Sequence, residues 1–172
     1  QSAGNISYSW DFGDGVLSTT KSPNHIYNKA GVFGVTLIAT TSNGCVNTKT
    51  INNYITVFDS IRAYPSVSVS ESCTLPFTAS FTGDTYGTDI TEYLWNFGNG
   101  VTSNEKNPTY TYTTGGTFTP TLQIKNRNGC VDTKALSSAI NVANFKADFN
   151  ISDAVICQDK SVAFTHTSTP SH

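Results

Sequence analysis

The 172-residue chain contains no methionine, and only 13 % of its residues are charged, for a formal net charge of −2. So small a charge, and of that sign, argues against an electrostatic grip on nucleic acid or on an anionic membrane surface. No apolar run approaches the roughly 20 residues that cross a bilayer, so no membrane span is expected in this segment. A basic stretch leading into an apolar leader is also missing, and the chain is expected to be a piece of a longer mature protein. Cysteine is scarce, at positions 45, 73, 130 and 157, and no two fall in a Cys-x-x-Cys interval, which removes the usual zinc-site spacing. Gly-rich phosphate loops, nucleophile elbows and His-Glu zinc motifs are absent as well. No catalytic residue, cofactor or metal is expected, and the chain is not expected to be an enzyme.

What is present is a repeat. Trp10, Asp11, Phe12, Gly13, Asp14 and Gly15 return as Trp95, Asn96, Phe97, Gly98, Asn99 and Gly100, 85 positions later. Before the first turn, Ile6, Tyr8, Trp10 and Phe12 alternate with Ser7, Ser9 and Asp11. That period of two describes a strand with one apolar and one polar face. Gly-Asp-Gly then supplies residues able to take positive φ, so the strand reverses at once. The same offset carries Pro23 to Pro108, Tyr27 to Tyr112, Phe33 to Phe118, Leu37 to Leu122 and Asn43-Gly44-Cys45-Val46 to Asn128-Gly129-Cys130-Val131.

This constellation resembles the PKD (polycystic kidney disease) domain, and the resemblance runs over nearly the whole chain. It implies an all-β fold of tandem immunoglobulin-like β-sandwiches, for which the chain has room at about 85–100 residues each. The Asn-Gly-Cys endings further resemble PKD repeats in large secreted adhesins of gliding Bacteroidota. That likeness implies an extracellular, cell-surface setting and neighbouring repeats, or further copies of the chain, as partners. Surface polysaccharide or protein is a further partner it implies.

In order along the chain, residues 1–58 read as a PKD-like domain lacking its first two strands. Residues 59–143 read as a complete one, and 144–172 as the first two strands of another. In the first domain, Val16 to Asn24 is expected to hold a short edge strand, Ile26 and Tyr27 to begin a strand, and Ser42-Asn43-Gly44 to make a type I′ hairpin turn. In the second, Val67 and Val69 mark the first strand, Phe77, Ala79 and Phe81 the next, and Thr82 to Glu92 a long polar loop. Phe149 and Ile151, then Val162 and Phe164, read as the opening strands of the third.

Each candidate for chemistry has a plainer reading beside it. Asp11 and Asp14 are oxygen donors of the kind calcium takes, or acceptors for turn amides. Asn96 and Asn99 keep the carbonyl and lose the charge, which an Asx turn tolerates and a calcium site does not. His25 reads as an aromatic ring packed beside the Pro23 turn, since Tyr110 replaces it and no acidic partner is near it in sequence. Trp10 and Trp95 read as core anchors; a sugar platform of Tyr54, Tyr64, Tyr86 or Tyr93 is the alternative. The even count of cysteines fits disulfides in an oxidising compartment. Sequence proximity pairs Cys45 with Cys73 and Cys130 with Cys157, whereas sandwich topology places the partners across domain junctions. Asp59-Ser60-Ile61 resembles a Bacteroidota O-glycosylation acceptor at Ser60, or is a plain linker turn. The functional reading is a structural segment of an adhesin stalk or filament. Its alternatives are a carbohydrate- or protein-binding module and an accessory domain of a secreted hydrolase.

Overall fold

The computed structural model describes residues 5–171, all of it strand, turn and loop, and it divides between Ser60 and Ile61 into two units. The loop expected over residues 1–4, and His172, lie outside the described residues.

The first unit is one antiparallel sheet. Its strands are β1 (Ile6–Asp11), β2 (Leu17–Ser18), β3 (Gly31–Thr41) and β4 (Val46–Val57), in the order β2-β1-β3-β4. Trp10 faces Leu37 and Tyr8 faces Ala39 across the β1–β3 ladder, so the alternation of the sequence becomes one apolar face. Residues 24–27 form no strand, contrary to the expectation for Ile26 and Tyr27, and Ile26 is 77 % exposed. The reason is visible in the second unit, where the matching residues pair with a strand that has no counterpart among the described residues of the first.

The second unit contains a two-layered immunoglobulin-like sandwich. Strands β5 (Arg62–Val67), β6 (Glu71–Ser72), β7 (Phe77–Tyr86), β8 (Ile90–Asn96) and β9 (Thr102–Ser103) are followed by β10 (Thr109–Tyr112) and β11 (Gly116–Phe118). Then come β12 (Thr121–Asn126), β13 (Val131–Ala135) and β14 (Ile140–Val142). One layer is β10-β7-β5; the other is β13-β12-β8-β9, extended by β11-β14-β6. Between them lie Ala63, Ala79, Phe81, Trp95, Phe97, Tyr112, Leu122, Ile124 and Ile140, all buried. Alternation holds strand by strand: Ala79, Phe81 and Gly83 point inward, while Thr78, Ser80 and Thr82 point to solvent. Asp132 ties the layers together, its Oδ2 accepting the Ala63 N–H at 2.8 Å.

Three expectations are corrected here. The polar stretch after Thr82 is not a loop, because β7 runs on to Tyr86 and its polar residues occupy the solvent face opposite β5. Val69 lies outside β5 and is half exposed. The Asn-Gly hairpins are not type I′, which needs positive φ at both central residues. Gly44 donates to the Thr41 carbonyl at 2.9 Å and carries φ +83, whereas Asn43 is not among the positive-φ residues. Gly129 and Asn126 repeat this at 3.0 Å with φ +85, so each turn is a three-residue loop closed by a left-handed glycine.

Beyond the sandwich, β15 (Asn144–Lys146), β16 (Phe149–Ile151), β17 (Phe164–His166) and β18 (Thr169–Ser171) form two successive two-stranded ladders, β15-β18 and β16-β17. Val162 precedes β17 and is not part of it.

Candidate functional site

The repeated six-residue motif builds the same turn twice. Oδ1 of Asp11 accepts the Gly13 N–H at 2.8 Å, and Oδ1 of Asp14 accepts the Val16 N–H at 3.1 Å. Asn96 and Asn99 do the same for Gly98 at 2.8 Å and Val101 at 3.2 Å. All four side chains thus close Asx turns. Gly98 has φ +87, and a Cβ there would come within 2.7 Å of the Thr119 N, so no larger residue fits.

Above each turn sits an aromatic ring. His25 stacks on Phe12 at 4.1 Å between centroids, and its Nε2 lies 2.7 Å from Oδ2 of Asp14. In the second repeat Tyr110 stacks on Phe97 at 4.3 Å, and Asn99 Nδ2 donates to its hydroxyl at 2.8 Å. The ring packing follows the sequence reading of His25, but the absence of an acidic partner does not: folding supplies Asp14. Burial works to raise the Asp14 carboxyl pKa, yet the His25 hydrogen bond, the Val16 amide and the His25 charge together hold it below its ordinary value. The next aromatic inward completes each stack. Tyr27 Oη donates to the Phe12 carbonyl at 3.1 Å, and Tyr112 Oη to the Phe97 carbonyl at 2.9 Å. Burial pushes the phenols of Tyr27 and Tyr112 upward.

The two tryptophans differ. Trp95 is fully buried against Phe81, with ring centroids 5.2 Å apart, and its Nε1 donates to the Lys106 carbonyl at 3.2 Å. Trp10 Nε1 donates one residue earlier in the repeat, to the Thr20 carbonyl at 3.1 Å, and Trp10 is only half-buried. It lines an apolar groove with Val35, Leu37, Lys49, Ile51 and Tyr54, about 210 Å³ in volume. The four tyrosines considered for a sugar platform do not converge as a set. Tyr54 belongs to this groove, Tyr93 packs against the core, and Tyr64 and Tyr86 share the exposed face of β5 and β7.

Within the single chain no disulfide is present, and Cys45, Cys73, Cys130 and Cys157 are all free. Cys73 directly follows Ser72, whose carbonyl accepts the Ala143 N–H at 2.8 Å where the chain leaves the sandwich. Cys130 sits at the tip of the β12–β13 hairpin, at the opposite end of the same sandwich, its N–H bonded to Asn126 Oδ1 at 2.9 Å. A repeat with one thiol at each end cannot close them on each other. Asn126 was not legible as a site residue, although it is a buried polar side chain that accepts from both Asn128 and Cys130 and holds the hairpin shut. Ser60 and Asp59 are exposed, while Ile61 of the same tripeptide is a core residue. Among the described residues no helix is long and apolar enough to cross a membrane, and no cluster of three metal-ligating side chains occurs.

Comparison with known proteins agrees on the repeat. The family model described as PKD domain matches residues 1–57 and again 60–142. The pre-pro-metalloprotease PrtV of Vibrio cholerae serotype O1 is 39 % identical over 56 residues, 33 % of this chain and 6 % of that protein. Collagenase ColA of Bacillus cereus is 50 % identical over 40 residues, 23 % of this chain and 4 % of that protein. The chain therefore spans a small fraction of the curated relatives it matches. Among solved structures, the PKD1 domain of the Vibrio cholerae metalloprotease PrtV aligns at 30 % identity and a TM-score of 0.42, covering 49 % of this chain and 98 % of that one.

Proposed function

The chain belongs to the PKD domain family, and from that premise we propose that it is a non-enzymatic, extracellular repeat segment, part of the stalk or filament of a surface adhesin. The observation that carries this reading is the use made of the motif residues. Trp95, Phe97 and Tyr112 are buried in the core, and the polar members of both motifs close their own turns. Among the described residues the close acid–imidazole pair is Asp14 with His25, whose ring stacks on Phe12, and it gives way to an amide–phenol pair in the second repeat. A catalytic pair would not survive that exchange, whereas a structural one does. Repeated sandwiches extend reach without new chemistry.

In an oxidising compartment, Cys73 and Cys130 at the two ends of the second repeat, with Cys45 and Cys157 on either side, are the groups available to cross-link neighbouring repeats, and intact mass without reductant tests this. Exposed Ser60 is the residue that would carry an O-glycan; glycopeptide mapping of native material tests that. The second reading is an accessory module of a secreted hydrolase, favoured by the metalloprotease and collagenase among the relatives. Glycan arrays together with a collagen pull-down separate the readings. A stalk segment binds neither at millimolar sugar, and specific binding to either would move the assignment to a recognition module.

A further inference from the structure

We infer that the open face of the first unit is a docking surface for the hairpin formed by residues 144–171 of a second copy of this chain. The sandwich of the second unit shows what that face accepts. There, Trp95, Leu122 and Leu136 are covered by β5 and β7, through Ala63, Ala79 and Phe81, and their exposures fall to 0 %, 0 % and 8 %. The matching residues of the first unit are Trp10, Leu37 and Ile51, and they line the open groove; Ile51 remains 38 % exposed.

The hairpin has the pairing of the missing cover. Ile151 faces Phe164 as Val67 faces Phe81, Phe149 faces His166 as Pro65 faces Gly83, and Lys146 faces Thr169 as Arg62 faces Tyr86. Phe164 therefore stands where Phe81 stands, and Phe81 is the residue that packs on the buried tryptophan. By the period of two, Phe145, Phe149, Ile151 and Phe164 share one face. They are 59 %, 61 %, 42 % and 71 % exposed, although nothing in their chemistry favours water. Phe149 and Phe164 already pack on each other at 6.0 Å, and Ser152 and Thr167 donate backbone bonds that knit the two strands together at 3.0 and 2.8 Å. The hairpin is thus formed before it docks, which lowers the ordering cost of association.

Residues 24–27 supply the third match. Their counterparts in β10 pair with β7, Tyr112 against Phe77 and Thr109 against Ser80. By the same register the counterparts of Phe77–Ser80 are residues 160–163, which lead into β17; once docked, they would offer residues 24–27 that ladder and cover the far edge of the groove, by strand addition. Because the donor and acceptor surfaces differ, the contact is head-to-tail, and it propagates into open filaments or closes into rings.

The test uses the full 172-residue chain. Sedimentation velocity over a concentration series is expected to show average mass rising severalfold for the unmodified protein. Phe149→Asp/Phe164→Asp blocks the donor, and Ile51→Asp/Tyr54→Asp blocks the acceptor; all four side chains are exposed in the single chain. Each variant alone is expected to stay monomeric, and an equimolar mixture to give a dimer and nothing larger. Hydrogen exchange on the unmodified chain, dilute against concentrated, needs no variant. Protection is expected to grow at residues 24–27 and 145–166. A wild-type chain that stays monomeric at every concentration overturns the inference. So does a donor-blocked variant that assembles like wild type, a mixture that yields no dimer, or protection that grows elsewhere.

Discussion

Nε2 of His25 lies 2.7 Å from Oδ2 of Asp14, and at the same place in the second repeat Asn99 Nδ2 lies 2.8 Å from the Tyr110 hydroxyl. Both members of the contact change together, and the stacked ring and the Asx turn are kept. The exchange identifies the contact as a clamp between the turn and the segment that follows Pro23 or Pro108.

If so, the two versions are interchangeable as pairs. Asp14→Asn and His25→Tyr are each expected to lower the melting temperature of the first unit. The double variant is expected to recover most of the loss, because it recreates the Asn99–Tyr110 contact. A thermal double-mutant cycle measures this; strictly additive losses would show that the two side chains act independently.

Acid is expected to weaken the same clamp. The folded state holds the Asp14 carboxyl below its ordinary value, so its contribution is complete above about pH 3.9. It is lost as the pH falls through the lower folded-state value. Melting curves from pH 6 down to pH 2 should drop more steeply for the parent than for Asp14→Asn in that window.

Trp95→Ala is expected to cost roughly 3–5 kcal/mol, the range for deleting a fully buried aromatic. Trp10→Ala removes a half-buried ring and is expected to cost less, roughly 1–2 kcal/mol in the unassociated chain. Denaturant titration of dilute protein decides it, and equal losses would contradict the difference in burial.

Tyr112→Phe leaves the Phe97 carbonyl without its donor inside the core, at a cost of about 1–2 kcal/mol. Burial raises the Tyr112 phenol pKa, so the stability it confers is complete below about pH 10 and is lost as the pH rises beyond that. The phenylalanine variant is therefore expected to lose less stability between pH 9 and pH 12 than the parent, as followed by tyrosinate absorbance alongside circular dichroism.

Chelation is expected to leave the melting temperature unchanged. Oδ1 of Asp11 and of Asp14 is occupied by a turn amide, and Asp14 Oδ2 by His25. Scanning calorimetry with EDTA and with millimolar calcium tests this, and a rise of many degrees on adding calcium would contradict it.

The alternating runs through Trp10 and Trp95, the glycines that turn them, and the repeat itself are local, and the amino-acid order by itself determined them. Strand periodicity and positive-φ glycines depend on neighbours one or two residues away. So did the apolar faces of Phe149 and Phe164, which are legible as strand residues with no partner in view. Only the tertiary structure decided which of these faces are covered. Trp10 and Trp95 sit in the same six-residue pattern, yet one is half open and the other sealed, because burial depends on strands far away in sequence. The same holds for residues 24–27, whose pattern matches β10 but which form no ladder without the backbone donors and acceptors of a neighbouring strand. Asp14 meets His25 across eleven positions, and Ala63 meets Asp132 across sixty-nine. No periodicity encodes such contacts; they follow from how the sheets fold over one another.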